Sequence, residues 1–153
     1  AMKILLQRVS AADVRIDGEV YGRIATGFVA LVGVTHGDTD DHARRLAAKT
    51  VALRVFPDAQ GRMNRDIRDA AGGILAISQF TLYADTRKGN RPSFVNAAPP
   101  AHAEALYETY VRALRAELGE ARVATGRFGA DMAVTLTNDG PVTITLQLPS
   151  LEN

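Results

Sequence analysis

Apolar residues in this chain fall mostly into short unbroken runs separated by turn residues, with two longer stretches at helical spacing. Lys3 to Val9 reads as a strand whose apolar run is too continuous for clean alternation. Val14 to Val20 alternates about Asp17-Gly18, the strongest short hairpin signal. Thr26-Gly27 marks a second turn, and Phe28 to Val34 reads as a strand buried on both faces. Thr39 or Asp40 then caps a helix to about Leu53, with Ala43, Leu46, Ala47 and Thr50 as its core face. A short strand Arg54-Val55-Phe56 and a turn over Pro57–Gly61 follow. Pro99-Pro100 opens the best helix, with Ala103, Leu106, Tyr107, Tyr110, Val111, Leu114 and Leu118 in its stripe and Gly119 as its stop. After a short strand near Val123, Met132 to Leu136 and Val142 to Leu148 read as strands joined by a hairpin turn at Asn138-Asp139-Gly140-Pro141. The order is strands, helix, strands, helix, strands. That predicts an α+β fold, a largely antiparallel, barrel-like sheet packed with two main helices, in one domain spanning 1–153.

The remaining strand is the unusual one. Ile74-Leu75-Ala76-Ile77 is purely apolar, Ser78 and Gln79 interrupt it, and Phe80-Thr81-Leu82-Tyr83 resumes it, giving a strand with a polar break. A buried amide without partners costs about 1–3 kcal/mol, so Gln79 is expected to be hydrogen-bonded or to sit where the strand meets a cleft. Directly after comes a basic loop, Arg87-Lys88-Gly89-Asn90-Arg91-Pro92. A polar break followed by three cations suggests a site for an anionic ligand.

Composition changes this picture only by exclusion. With 46% hydrophobic and 23% charged residues the chain is ordinary for a globular protein, and no apolar run approaches the roughly 20 residues of a spanning helix. Ala1 before Met2 reads as a cloning remnant. There is no cysteine, which removes disulfides, thiolate metal sites and a cysteine nucleophile, and fits a reducing cytoplasm. His36, His42 and His102 lack metal-ligand spacing. Neither a phosphate-binding glycine loop nor a Gly-x-Ser-x-Gly elbow is present. The net charge of +1 leaves any polyanion to be held by local cations.

Four features carry candidate chemistry. At Ser78-Gln79-Phe80-Thr81 either hydroxyl is a candidate nucleophile, or the backbone N–H groups form an oxyanion hole; composition alone favours a plain strand with a bonded Gln. At Asn138-Asp139-Gly140-Pro141 an ordinary hairpin turn is the usual reading. However, Pro141 stands where a return strand wants an N–H, and a cis bond there costs only about 0.5–1 kcal/mol. Arg87, Lys88 and Arg91 are a solvated surface or a phosphate-binding loop. Arg8 is a charge in an apolar strand, with a salt bridge as its ordinary explanation.

Taken together, Gln7-Arg8-Val9, Asp17-Gly18, Ser78-Gln79-Phe80-Thr81-Leu82, Ala84 to Gly89, Arg91-Pro92-Ser93-Phe94, Thr125-Gly126-Arg127-Phe128 and Asn138 to Thr143 resemble the D-aminoacyl-tRNA deacylase family, in order and with compatible spacing from Met2 to about Leu148. The resemblance implies a cytoplasmic homodimer that hydrolyses the ester between a D-amino acid and the 3′-terminal adenosine of tRNA, and clears glycine mischarged onto tRNA for alanine. It implies no cofactor or metal, and no membrane or DNA partner. It places Ser78, Gln79, Phe80 and Thr81 at the catalytic site, with the N–H groups of Phe80 and Thr81 holding the oxyanion and the substrate's 2′-OH assisting water. Thr81 as covalent nucleophile is the competing view. It also implies that Gly140-Pro141 is cis and enters the partner's site to exclude L-amino acids, with Arg8 supporting it, and that Arg87, Lys88 and Arg91 meet tRNA. Two other readings stay open on the residues: a non-catalytic module for RNA ends, and a Thr81-dependent esterase of small substrates.

Overall fold

A computed structural model of the chain describes residues 1–149. It begins with a hairpin of β1 (Met2–Ile16) and β2 (Glu19–Ile24), turning on Asp17-Gly18, both with positive φ as a tight hairpin turn demands. β3 (Gly27–Gly33), α1 (Asp40–Ala52), β4 (Phe56–Pro57), β5 (Met63–Arg65) and β6 (Gly73–Ser78) follow. Then come α2 (Pro100–Leu118), β7 (Val123–Thr125) and β8 (Ala133–Leu148). Both helices form where periodicity puts them. Thr39 caps α1 reciprocally: its hydroxyl accepts from the His42 N–H at 3.3 Å, and its own N–H donates to His42 Nδ1 at 3.2 Å.

The sheet runs β2-β1-β3-β6-β7, with β8 also paired to β1. Antiparallel pairing links β1 to β2, β3 and β8, whereas β3–β6 and β6–β7 are parallel because a helix lies in each connection. At the far edge β2 meets β7. A Cβ on Gly22 would lie 2.9 Å from the Thr125 carbonyl oxygen, so the absent side chain lets the sheet nearly close into a barrel. The mixed, nearly closed sheet with two helices is the α+β, barrel-like arrangement that the sequence pattern predicts.

Near-closure explains the unbroken apolar runs. Phe28, Ala30, Ile74 and Ala76 face the helices, in a core shared with Leu46, Val51, Leu106, Tyr110 and Leu114. Their neighbours Val29, Leu75 and Ile77 point the other way, into a second cluster with Val9, Ala12 and Val14. A strand buried on both faces cannot alternate. Between the helices Tyr110 is fully buried, its hydroxyl 2.9 Å from Thr50 Oγ1. Tyr107 donates to the Ala76 carbonyl at 2.7 Å, fixing α2 to β6.

One expectation fails here. Asn138–Pro141 is not a hairpin turn between two strands but an outward bulge within the single 16-residue β8. Both flanks pair antiparallel with β1, Thr143 opposite Gln7 and Asn138 opposite Val9. The surplus residues therefore bow out and the chain rejoins the same partner. A turn signal fixes local bending, and β1 decides whether the chain reverses.

Gly22→Ala is expected to push β2 from β7 and cost about 1–3 kcal/mol, as overpacking does. Urea denaturation reads this directly, and an unchanged midpoint would show that the two strands do not meet.

Candidate active site

The site begins where β6 runs out of partners. The Gln79 N–H donates to the Val32 carbonyl at 2.8 Å, and β3 ends one residue later. With no strand alongside, the chain tightens into a 3-10 turn, Phe80–Tyr83, closed by Leu82 N–H to Gln79 O at 3.3 Å and followed by Ala84 N–H to Thr81 O at 3.1 Å. The expected resumption of the strand at Phe80 is thus corrected. Its apolar residues do not enter the core: Phe80 is 56% exposed. A turn of this kind leaves its first N–H groups without intrahelical acceptors, and those of Phe80 and Thr81 have no acceptor among the described residues. Gln79, which the strand's polar break singled out, donates its side-chain amide to Thr81 Oγ1.

Ser78, Gln79 and Phe80 form one wall of a cleft of about 650 Å³. Phe94, the segment Ala97–Pro100, Phe128 and Met132 complete it, so it is mainly apolar and suited to flat, weakly polar ligand surface. Phe80 and Phe94 meet edge to face with centroids 5.0 Å apart at the mouth. The opposite wall is tied to the loop after β3. Ala98 N–H donates to Val34 O at 3.0 Å, Thr35 Oγ1 to Asn96 O, and His36 Nε2 lies 2.7 Å from Val95 O. That loop is braced by the buried Asp38 carboxylate, which accepts from Thr35 N–H at 2.7 Å. His36 is thus a tethering turn residue. No group of three metal-ligating side chains occurs among the described residues.

Gly140 and Pro141 do not line this cleft. They are exposed at the tip of the β8 bulge, joined by a cis peptide, with φ of +136° at Gly140. Among the described residues Arg8 makes no salt bridge, the ordinary explanation for a lone charge. Its Nε donates to Asp139 O at 2.9 Å and its Nη1 to Val55 O at 2.6 Å, so it ties the bulge to the start of β4. The neck is closed by Asn138, whose Oδ1 accepts from Val142 N–H at 2.9 Å while Nδ2 donates to Thr143 Oγ1 at 3.0 Å. Residues 138 to 143 are therefore held from both sides.

The basic loop lies beside a second hollow of about 480 Å³ lined by Asp85, Arg87, Lys88 and Ser93. Arg87 grips Asp85 with two side-chain bonds of 3.0 and 2.8 Å, holding that carboxyl down at about 2. The pair is ionised at neutral pH, with the Arg87 charge partnered by Asp85. Lys88 and Arg91 are exposed and have no carboxylate partner among the described residues.

This architecture has solved counterparts. One, titled as a probable eukaryotic D-amino acid tRNA deacylase, superposes with a TM-score of 0.82 over 95% of this chain and 98% of that one, at 16% identity, which establishes the shared fold. A second, described as a c-Myc DNA unwinding element binding protein, reaches a TM-score of 0.91 at 38% identity over 97% and 99%. The family model for D-Tyr-tRNA(Tyr) deacylase matches residues 5–147. D-aminoacyl-tRNA deacylases of Azoarcus sp. (strain BH72) and Rhodopirellula baltica are 57% and 56% identical, covering 97% and 96% of this chain and 97% and 100% of their own. The chain belongs to the D-aminoacyl-tRNA deacylase family, and it is a hydrolase.

Sequence reasoning missed the far wall of the cleft. Phe94 and Phe128 belong to the deacylase-like motifs, but nothing local in the sequence shows that they line the same cleft as Phe80. Asn138 has the character of a turn residue in the sequence, and only its span from Val142 to Thr143 reveals the clamp.

Asn138→Ala is expected to free the Val142 N–H, speeding its amide exchange and lowering stability by about 0.5–1.5 kcal/mol, the net worth of a typical hydrogen bond. Unaltered Val142 exchange would show that Asn138 does not close the bulge.

Proposed function

We propose that this protein hydrolyses the ester linking a D-amino acid to the 3′-terminal adenosine of tRNA, releasing both, and that it does so with backbone donors. The observation that carries the reading is the pair of consecutive N–H groups without an acceptor among the described residues, at Phe80, which lines the apolar cleft, and at Thr81, the next residue, which is not in its lining. An aminoacyl ester is already activated, so attack by water needs mainly oxyanion stabilisation and placement. One donor of this kind is worth about 2.7–4 kcal/mol in such sites. The cleft suits the terminal adenosine, whose 2′-OH assists the attacking water. Thr81 is poorly placed to be a nucleophile. The group bonded to its hydroxyl is the Gln79 amide, a donor with no basicity to remove the proton.

Selectivity falls to the β8 bulge, acting in a homodimer. Within one chain Gly140 and Pro141 stand away from the cleft lining, and β8 pairs only with β1 among the described residues, leaving its outer edge open for a second copy. L-aminoacyl-tRNAs vastly outnumber D forms in a cell, so rejection must be rigid. Backbone held by Arg8 and Asn138 supplies that better than mobile side chains. Such steric exclusion has no grip on glycine, which makes glycyl-tRNA, including glycine mischarged onto tRNA for alanine, a second substrate. Lys88 and Arg91, with Arg87 braced by Asp85, contact tRNA phosphates. A tRNA substrate supports a cytoplasmic location for the protein.

Release of amino acid from D-Tyr-tRNA and L-Tyr-tRNA tests the reading, with wild type and Thr81→Ala side by side. Both are expected to deacylate only the D form, at rates within about threefold of each other, because the side chain is not the backbone donor. An intact wild type that spared D-Tyr-tRNA would overturn the function, and a dead but folded Thr81→Ala would restore the nucleophile.

Gly140→Ala places a Cβ 2.8 Å from Val142 Cγ2 and 3.0 Å from Arg8 Nη2, at a φ unfavourable for alanine. The expected result is a D-to-L rate ratio reduced about tenfold or more. An unchanged ratio would remove the bulge from selectivity.

A further inference from the structure

Tyr83 ends the turn that carries the Phe80 and Thr81 N–H groups, and nothing in the proposed reaction uses it. Its setting is specific. In the β1–β3 ladder Lys3 stands directly opposite Gly33. The Lys3 ammonium sits 4.7 Å from the centroid of the Tyr83 ring. On the β3 side, a Cβ added to Gly33 would lie 3.2 Å from Tyr83 Cε2 and 3.0 Å from Leu82 Cβ. The last two residues of the turn are thus seated against bare backbone, and the terminal ring carries a cation beside it.

The hydroxyl contributes nothing comparable. It is buried with no hydrogen-bond partner among the described residues. Burial, with the neighbouring Asp38 carboxylate, pushes its ionisation well above the usual range, so it stays neutral. What Tyr83 supplies is a flat, polarisable ring in a tight seat.

We propose that Tyr83 is a positioning residue for deacylation: seated on Gly33 beside Lys3, its ring anchors the Phe80–Tyr83 turn to the barrel and so aims the Phe80 and Thr81 N–H groups at the developing oxyanion. The inference rests on the backbone-donor reading above. The backbone bonds at the ends of the turn, Leu82 N–H to Gln79 O and Ala84 N–H to Thr81 O, are all local, like those inside it, and its first residue is largely exposed. Packing at its far end must therefore set its tilt. A misdirection of about 1 Å in such donors lowers turnover by up to about 100-fold.

The test compares Tyr83→Phe, Tyr83→Leu and Gly33→Ala with wild type, as single-turnover deacylation of D-Tyr-tRNA per folded protein. Tyr83→Leu is expected to lose about 10- to 100-fold in kcat with KM within about threefold. Tyr83→Phe is expected to keep wild-type kcat and a Tm no lower, since it removes only an unpartnered hydroxyl. Gly33→Ala leaves Tyr83 present but displaces it, and is expected to lower kcat in the same way; it decides the matter should Tyr83→Leu not fold. Wild-type kcat in a folded Tyr83→Leu or in Gly33→Ala, or a Tyr83→Phe as impaired as Tyr83→Leu, would overturn the proposal. An inactive wild type would instead overturn the functional reading on which it stands.

Discussion

The hydrogen bond from Gln79 N–H to the Val32 carbonyl is where this structure turns from scaffold into candidate site. Up to that bond β6 is paired with β3 along its length and with β7 over Ile74–Ala76. Beyond it β3 ends, and two consecutive N–H groups, those of Phe80 and Thr81, have no acceptor among the described residues. Unpaired backbone donors are costly inside a protein but tolerable at a cleft rim, where water or a ligand oxygen completes them. The barrel determines where its parallel strands stop, and the stopping point creates the donors.

Rigidity follows the same logic at the other end of the molecule. Gly140 and Pro141 are exposed, yet the residues around them are bonded on both sides: Arg8 reaches Asp139 and Val55, and Asn138 reaches Val142 and Thr143. The charged side chain in the apolar strand β1 is therefore consumed by two carbonyls. A bulge within a paired strand is also restrained by the ladder on each flank, as a hairpin tip is not. Site and bulge both arise where regular pairing fails and side chains take over the missing bonds.

That shared origin explains what was legible in the sequence. Both helices and the buried strands were, because periodicity and apolar runs report burial, and burial on two faces is visible as the loss of alternation in Phe28–Val34 and Ile74–Ile77. The deacylase motifs were legible as wording. Two shapes were not. Phe80-Thr81-Leu82-Tyr83 has strand composition, and only the end of β3 makes it a turn. Asn138-Asp139-Gly140-Pro141 has turn composition, and only pairing of both flanks with β1 makes it a bulge. In each case the deciding partner lies tens of residues away. Arg8 and Asn138 likewise declare themselves by the carbonyls and N–H groups that they reach, which a residue's type does not reveal.

The central claim concerns an atom that no side-chain substitution removes. Replacing threonine at position 81 with its α-hydroxy acid converts one backbone N–H into an ester oxygen while leaving the side chain in place. If that N–H stabilises the oxyanion, turnover of D-Tyr-tRNA should fall by about 10²–10³ with tRNA binding retained. Unchanged turnover in a folded, tRNA-binding protein would contradict it.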